Sequence, residues 1–265
     1  MNYVSGDLRD QLAHVGYDVV QAGLVCGSGG NVSARILDED ACWVTAGGAW
    51  LDRLSRADFT LVRISDGSPA AVGAMPATTA RPATAPPPAT APPPATALPA
   101  ATALPAATAP TATTGMPAAT ARPTSELALH LALYRARPEI NAVVHLHPQT
   151  ALLLDALGEH IRIVTTDHAF YLRRVTTVPF RLPGTTELAA LTAAMAADGT
   201  NCLVLSQHGC VVMADSVELA HKRARNLEEA ASLTYQALTA GRLASLRDCP
   251  EEFLERLADP AAMTV

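Results

Sequence analysis

The chain is poor in the features that mark membrane, nucleic-acid-binding and disulfide-framed proteins. Aromatic residues are only 4% of its 265 positions. No uninterrupted apolar run approaches the roughly 20 residues of a membrane-spanning helix. Positive charge is not in excess: a net charge of −6 removes any general attraction to nucleic acid or anionic lipid. The leading MNYVSGDLRD holds acids and no apolar core, so a secretory signal is not expected there. The five cysteines, Cys26, Cys42, Cys202, Cys210 and Cys249, are odd in number and form no CxxC pair. That spacing argues for reduced thiols, against both a disulfide framework and a thiolate zinc site. Neither a Walker A loop nor GxGxxG occurs. The expected setting is cytoplasmic, with neither nucleic acid nor membrane as partner.

Proline is scarce outside one tract. Of 20 prolines, 14 lie between Pro69 and Pro123, together with 21 alanines, no aromatic residue and only Arg81 and Arg122 as charges. Repeated PATA, PPPATA and LPAATA units remove backbone donors and bury too little apolar surface to offset ordering entropy. We read 68–122 as a disordered, partly polyproline-II insert within a single domain spanning 1–265. A long surface loop is tolerated because closure entropy grows slowly with length.

Around that insert, helix and strand patterns alternate. Leu8, Leu12, Val15 and Val19 predict a helix from Ser5 to about Ala22. A turn at Gly27–Gly30 leads into a strand through Val32, Ala34 and Ile36; ACWVT and FTLVRIS predict two more. Leu127, Leu131 and Tyr134 predict a helix ending near Arg137. Ala142–His147 reads as a strand, Gln149–Leu157 as a helix, and Arg162–Thr166 and Thr176–Phe180 as extended. Thr186–Ala197 is a helical stretch, Cys202–Ser206 and Val211–Met213 are strands, and a long helix starts at Asp215 with Glu218 completing a capping box. The class is α/β or α+β.

Chemistry concentrates in AVVHLHP. Residues two apart on a strand share a face, so His145 and His147 project side by side and can reach one cation at roughly 2.0–2.1 Å. His208, in LVLSQHGC just past another apolar strand, supplies a third imidazole. His14, His130, His160, His168 and His221 lack such context and read as ordinary helix or loop residues. Glu126, at the first turn after the insert, either complements the helix dipole or acts as an acid/base beside the metal. In GSGGNVS, backbone N–H groups can converge on an anion, with Ser28 and Asn31 adding side-chain donors. Thr124 and Ser125 add hydroxyls at a helix start.

Taken in order, GLVCGSGGNVSAR, RPTSELALHLALYRARPEINAVVHLHP, VPFRLPGTTEL and QHGCVVMADSVELAHKRARNLEEAASLTYQA resemble the class II aldolase/adducin family, which includes L-fuculose-1-phosphate aldolase. The resemblance implies a three-layer α/β fold with a mainly antiparallel central sheet flanked by helices. It also implies a homotetramer with active sites between subunits. His145, His147 and His208 would hold a divalent cation, usually Zn2+ (alternatives are Mn2+, Co2+ or Fe2+), with Glu126 as a further ligand and the acid/base. A sugar phosphate would bind through Ser28, Gly30, Asn31, Gly48, Thr124 and Ser125. The implied reaction cleaves a ketose 1-phosphate, of the L-fuculose or 5-deoxyribulose type, to dihydroxyacetone phosphate and an aldehyde. Tyr171, with His168 as rival, is the candidate acid at O4.

Three departures stand out: VTAGG places Gly47 where the aldolase has a phosphate-binding threonine, the tail ADPAAMTV has no tyrosine, and the DHAFYLRR loop differs. An epimerase on this scaffold would carry aspartate at Glu126 and a second catalytic aspartate in an HAD-like stretch, which here reads His168-Ala169-Phe170; neither aspartate is present. A methylthioribulose-1-phosphate-type dehydratase and a sugar-acid phosphate decarboxylase share the His and Glu framework. A non-catalytic adducin-like module would be expected to lack the metal ligands, all of which are present.

Overall fold

A computed structural model describes residues 6–70 and 121–258. Most of the expected 68–122 insert therefore lies outside the described residues. Its flanks do not: Pro69 bridges to Val62, the Ala70 amide donates to the Leu61 carbonyl, and Pro123 bridges to Ala46. The Thr60 hydroxyl donates to the Ala121 carbonyl. Paired backbone thus runs a few residues further into the tract than composition implied.

The chain runs α1 (Leu8–Gln21), β1 (Asn31–Arg35), β2 (Ala41–Thr45), β3 (Phe59–Arg63), α2 (Leu127–Ala136), β4 (Ala142–Leu146) and α3 (Gln149–Leu157). It continues α4 (Thr166–Leu172), β5 (Thr176–Val178), α5 (Thr186–Ala196), β6 (Cys202–Leu205), β7 (Gly209–Ala214), α6 (Val217–Thr239) and α7 (Glu251–Ala258). The strands form one sheet in the order β3-β2-β1-β4-β7-β6-β5, antiparallel except for β5 beside β6.

Strand alternation sorts the interior into two cores. Val32, Ala142, Val144, Leu146 and Val212 pack with Leu12, Val15 and Val19 of α1 and Leu227 of α6. Val143, Val211, Met213, Leu203 and Leu205 point the other way, onto Leu129 and Leu133 of α2 and Leu188 of α5. The architecture is therefore the expected three-layer α/β arrangement with a mainly antiparallel sheet. β4 and β7 are buried along their whole lengths, as central strands covered on both faces must be. No described helix is long and apolar enough to cross a membrane.

Three local expectations change. The segment from Arg162 is not a strand; the Thr165 hydroxyl accepts from the His168 amide and starts α4. The preceding backbone is held by side chains and α7's lead-in instead of a ladder. The Arg162 amide donates to Thr234 Oγ1 at 2.9 Å, and the Cys249 amide to the Ile163 carbonyl at 2.7 Å. α6 is capped by Ser216, whose hydroxyl accepts from the Leu219 amide, so Asp215 lies outside the cap. Glu218 pairs with Lys222 at 2.7 Å instead of closing a capping box. α7 was not anticipated; it seats Leu257 against Ala169 and Cys249.

Candidate metal centre and anion site

His145 is the fourth residue of β4, His147 follows that strand directly, and His208 occupies the tight turn between β6 and β7. Pairing of Leu146 with Cys210 brings that turn over the end of β4. One nitrogen from each of the three imidazoles falls within 4.8 Å of the others. The His145 Nδ1–H donates to the Cys210 carbonyl at 2.9 Å, which leaves the Nε2 lone pair facing the cleft. That nitrogen is 3.2 Å from His147 Nε2. Two donors on one tetrahedral ion at roughly 2.0–2.1 Å stand about 3.3 Å apart, so the pair already has a ligand edge's spacing. Burial pushes all three imidazoles below the usual histidine range, His208 to about 4. They are accordingly neutral, as metal ligands must be. His208 Nδ1 is buried without a hydrogen-bond partner, and two nitrogen lone pairs as close as those of His145 and His147 need a shared cation or proton. The donor set fits a divalent metal ion.

Glycines let the backbone reach these rings. A Cβ on Gly209 would lie 2.7 Å from His147 Cδ2, and one on Gly29 would lie 2.9 Å from His147 Nδ1. At Gly30, φ is +78° and a Cβ would meet the His145 carbonyl at 2.8 Å, so no other residue fits there without strain.

These groups open into one cleft of about 240 Å3, below the roughly 300–1,000 Å3 of drug-sized sites and suited to a small polar molecule. Ser28, Gly30, Asn31, Gly48, Thr124, Ser125, Glu126, His145, His147 and His208 all line it. Gly29, Ala46, Ala49 and Pro183 complete the wall. No Lys or Arg is among these lining residues, so an anion there would be met by neutral donors and the start of α2. Gly47 is not in the lining. Its amide donates to the Arg122 carbonyl, and a Cβ there would come within 3.3 Å of the Pro123 carbonyl.

Glu126 sits immediately before α2, 6% exposed, and makes no capping bond with its side chain. The Gly184 amide donates to its carboxylate, whereas Oε2 is buried without a partner. Burial raises its pKa above the ordinary carboxylate value, and the Gly184 bond opposes this.

Tyr171 is not brought into this cleft. It lies on α4, with its carbonyl accepting from Arg223 and its ring edge-on to Phe170. His168, on the same helix, is fully buried, bonds through neither ring nitrogen and also lies outside the lining. Several supporting residues escaped sequence reasoning. The Asp155 carboxylate accepts from Ser206 Oγ and the Gln207 amide, fixing the turn that presents His208, where Gln207 has φ +55°. The Glu228 carboxylate accepts from the Thr150 and Ala151 amides at the start of α3, just beyond His147. Each is one acid among many in the sequence, and only contact marks it.

Several known proteins are similar to this chain in sequence or fold. An L-fuculose phosphate aldolase of Methanococcus vannielii is 33% identical over 113 residues, 43% of this chain and 61% of that protein. A 3-oxo-tetronate 4-phosphate decarboxylase of Escherichia coli K12 is 36% identical over 137 residues, 47% of this chain and 64% of that protein. The chain therefore matches only about three fifths of the length of these relatives. A solved L-fuculose 1-phosphate aldolase superposes with a TM-score of 0.68, covering 97% of each chain at 20% identity, a likeness of fold. The family described as the class II aldolase and adducin N-terminal domain matches residues 10–235. The chain belongs to that family.

Proposed function

We propose that this chain is a metal-dependent aldolase that cleaves a ketose 1-phosphate to dihydroxyacetone phosphate and an aldehyde. L-fuculose 1-phosphate and 5-deoxyribulose 1-phosphate are the substrate types proposed. One observation carries the reading: Glu126, one of whose carboxylate oxygens is buried without a partner, lines the same cleft as three neutral imidazoles and a donor-rich glycine loop.

A divalent cation, zinc by preference, would be held by His145, His147 and His208, with Glu126 as a further ligand before substrate binds, and would supply Lewis acidity at the substrate carbonyl. The chain's own residues do the rest. Ser28, Gly30, Asn31, Gly48, Thr124 and Ser125 orient the phosphate through hydroxyl, amide and backbone donors. Glu126 handles the proton at C3. As the C3–C4 bond breaks, its electron pair is left on the three-carbon fragment, the O4 proton is released as the aldehyde forms, and protonated Glu126 delivers a proton to C3. Its raised pKa suits that exchange. The group at O4 would be Tyr171 of a neighbouring copy in a homotetramer, taking the O4 proton in cleavage and returning it, as the acid, in the synthetic direction. Exposed Trp50, Phe180 and Leu182, close in sequence to lining residues Ala49 and Pro183, support such a neighbour.

A second reading has its own support, the 36% identity to the decarboxylase. There the bond broken would release carbon dioxide, Glu126 would again protonate the carbon left behind, and no proton would have to leave O4. The test is to incubate zinc-loaded protein, with and without chelator, with each ketose 1-phosphate and with 3-oxo-tetronate 4-phosphate. Chelator-sensitive release of dihydroxyacetone phosphate from a ketose 1-phosphate supports the aldolase. Release of carbon dioxide and dihydroxyacetone phosphate together from 3-oxo-tetronate 4-phosphate, with neither ketose 1-phosphate turned over, supports the decarboxylase.

A further inference from the structure

Beneath Asn31 a chain of buried polar groups crosses the interior between β1 and α2. His130, with no exposed surface, meets Asn31 Oδ1 through Nε2 at 2.5 Å and Ser33 Oγ through Nδ1 at 2.7 Å. Ser33 Oγ in turn meets the Tyr134 hydroxyl at 2.8 Å. The sequence offered no reason to single out His130, and the aldolase chemistry leaves it unused.

Burial keeps this imidazole neutral, with its pKa pushed down to about 3, so one ring nitrogen donates and the other accepts. Protons can be ordered along the chain in two ways. In one, Tyr134 O–H donates to Ser33, Ser33 O–H to His130 Nδ1, and His130 Nε2–H to Asn31 Oδ1; every donor is used. In the other, the Asn31 amide is turned over and donates to Nε2, Nδ1–H donates to Ser33, and Ser33 donates to Tyr134. The phenolic proton is then stranded on a side chain that is 1% exposed and whose oxygen already takes a backbone bond from Val143. Only the first order leaves no buried donor unpaired.

We propose that His130 is a positioning residue: through its Nε2–H it holds the Asn31 oxygen inward, so that Asn31 presents its NH2 group to an anionic group bound in the cleft. The consequence is large because no cationic side chain is among the described residues that line the wall. With the amide reversed, the floor of the cleft would offer an oxygen lone pair to the anion. The identity of that anion as a substrate phosphate rests on the aldolase reading, whereas the orientation of Asn31 does not.

Two measurements on the full-length, zinc-loaded protein test this. Nitrogen NMR of histidine-labelled protein should show His130 as the neutral Nε2–H form throughout the neutral pH range. An Nδ1–H or cationic ring overturns the proposal. Titration with inorganic phosphate is then compared among wild type, His130→Leu and His130→Gln, with zinc content and melting temperature measured alongside. Loss of one bond to a charged group predicts at least about tenfold weaker phosphate binding for His130→Leu with zinc retained. His130→Gln, which keeps a donor, should stay within about threefold of wild type. A folded His130→Leu that binds like wild type, or a His130→Gln as weak as His130→Leu, overturns it. If wild type binds no phosphate, the sugar-phosphate reading falls, and the ring tautomer alone decides the role of His130. The tautomer also decides it if His130→Leu fails to fold.

Discussion

Gly209→Ala would add one methyl group at the point where the β6–β7 turn meets the metal ligands. The new Cβ would stand 2.4 Å from the Leu146 carbonyl oxygen, 2.7 Å from His147 Cδ2 and 3.0 Å from His145 Cε1. Contacts under 3.0 Å essentially do not occur, so the Leu146 carbonyl must retreat by about 0.6 Å. Neither side moves freely, because Gly209 pairs with Leu205 and Cys210 with Leu146 in the central ladders. Overpacking of this kind costs about 1–3 kcal/mol, and each kcal/mol lowers Tm by about 2–4 °C in a chain of this size. Metal–ligand distances tolerate only about 0.2 Å, so the same displacement should weaken zinc binding by about 10–100-fold. Gly241→Ala is the control. Gly241 follows α6 at φ +66° with nothing within 4 Å of a Cβ, so alanine there strains the backbone, by about 1–2 kcal/mol, without meeting the rings or the turn that carries His208. Zinc retained after dialysis against a competing chelator and thermal melting give the two readouts. Equal zinc loss in both variants, or wild-type retention by Gly209→Ala, refutes the steric argument.

His147→Ala should lose zinc and dihydroxyacetone phosphate release together; activity in a metal-free variant removes His147 from the ligand set. Glu126→Gln should keep most zinc while losing most hydrogen exchange at C3 of dihydroxyacetone phosphate, and full exchange would remove Glu126 from that role. The raised pKa of Glu126 also has a stability consequence. A raised carboxylate favours folding fully below its unfolded pKa, about 4.3, and loses that contribution as pH rises through the folded value. Metal-free Glu126→Gln should therefore melt above wild type at neutral pH, with the gap closing in acid; a lower Tm at neutral pH contradicts the burial argument. Replacing residues 72–120 with a short Gly/Ser linker should leave melting and zinc content unchanged. The pairings of Pro69 with Val62 and Pro123 with Ala46 remain in that variant. Loss of zinc would assign the tract a part in the site.

Much of the fold was legible along the chain because burial on a helix or strand leaves a local period. α1, α2, α3 and α5 follow their apolar spacing, and β4 and β7 follow short apolar runs. α4 was missed because seven residues are too few to show a period, and its β-branched lead-in resembles a strand. The start of α6 was misplaced by one residue, since Asp215 and Ser216 are both good caps and only backbone geometry chooses between them.

For the site, the sequence alone determined that His145 and His147 share a face, that GSGG can turn backbone amides toward an anion, and that Glu126 opens a helix. Spacing within one element carries each of these. Only the tertiary structure decided that His208 joins the pair, through the register of β7 on β4, and that Gly184 holds Glu126. It likewise decided that His130 is the partner of Asn31 and that Tyr171 is kept out of its own chain's cleft. The physical reason is common to all four. A period reports which side of an element is buried, whereas the meeting of distant segments is set by strand register and by how two cores close on one sheet.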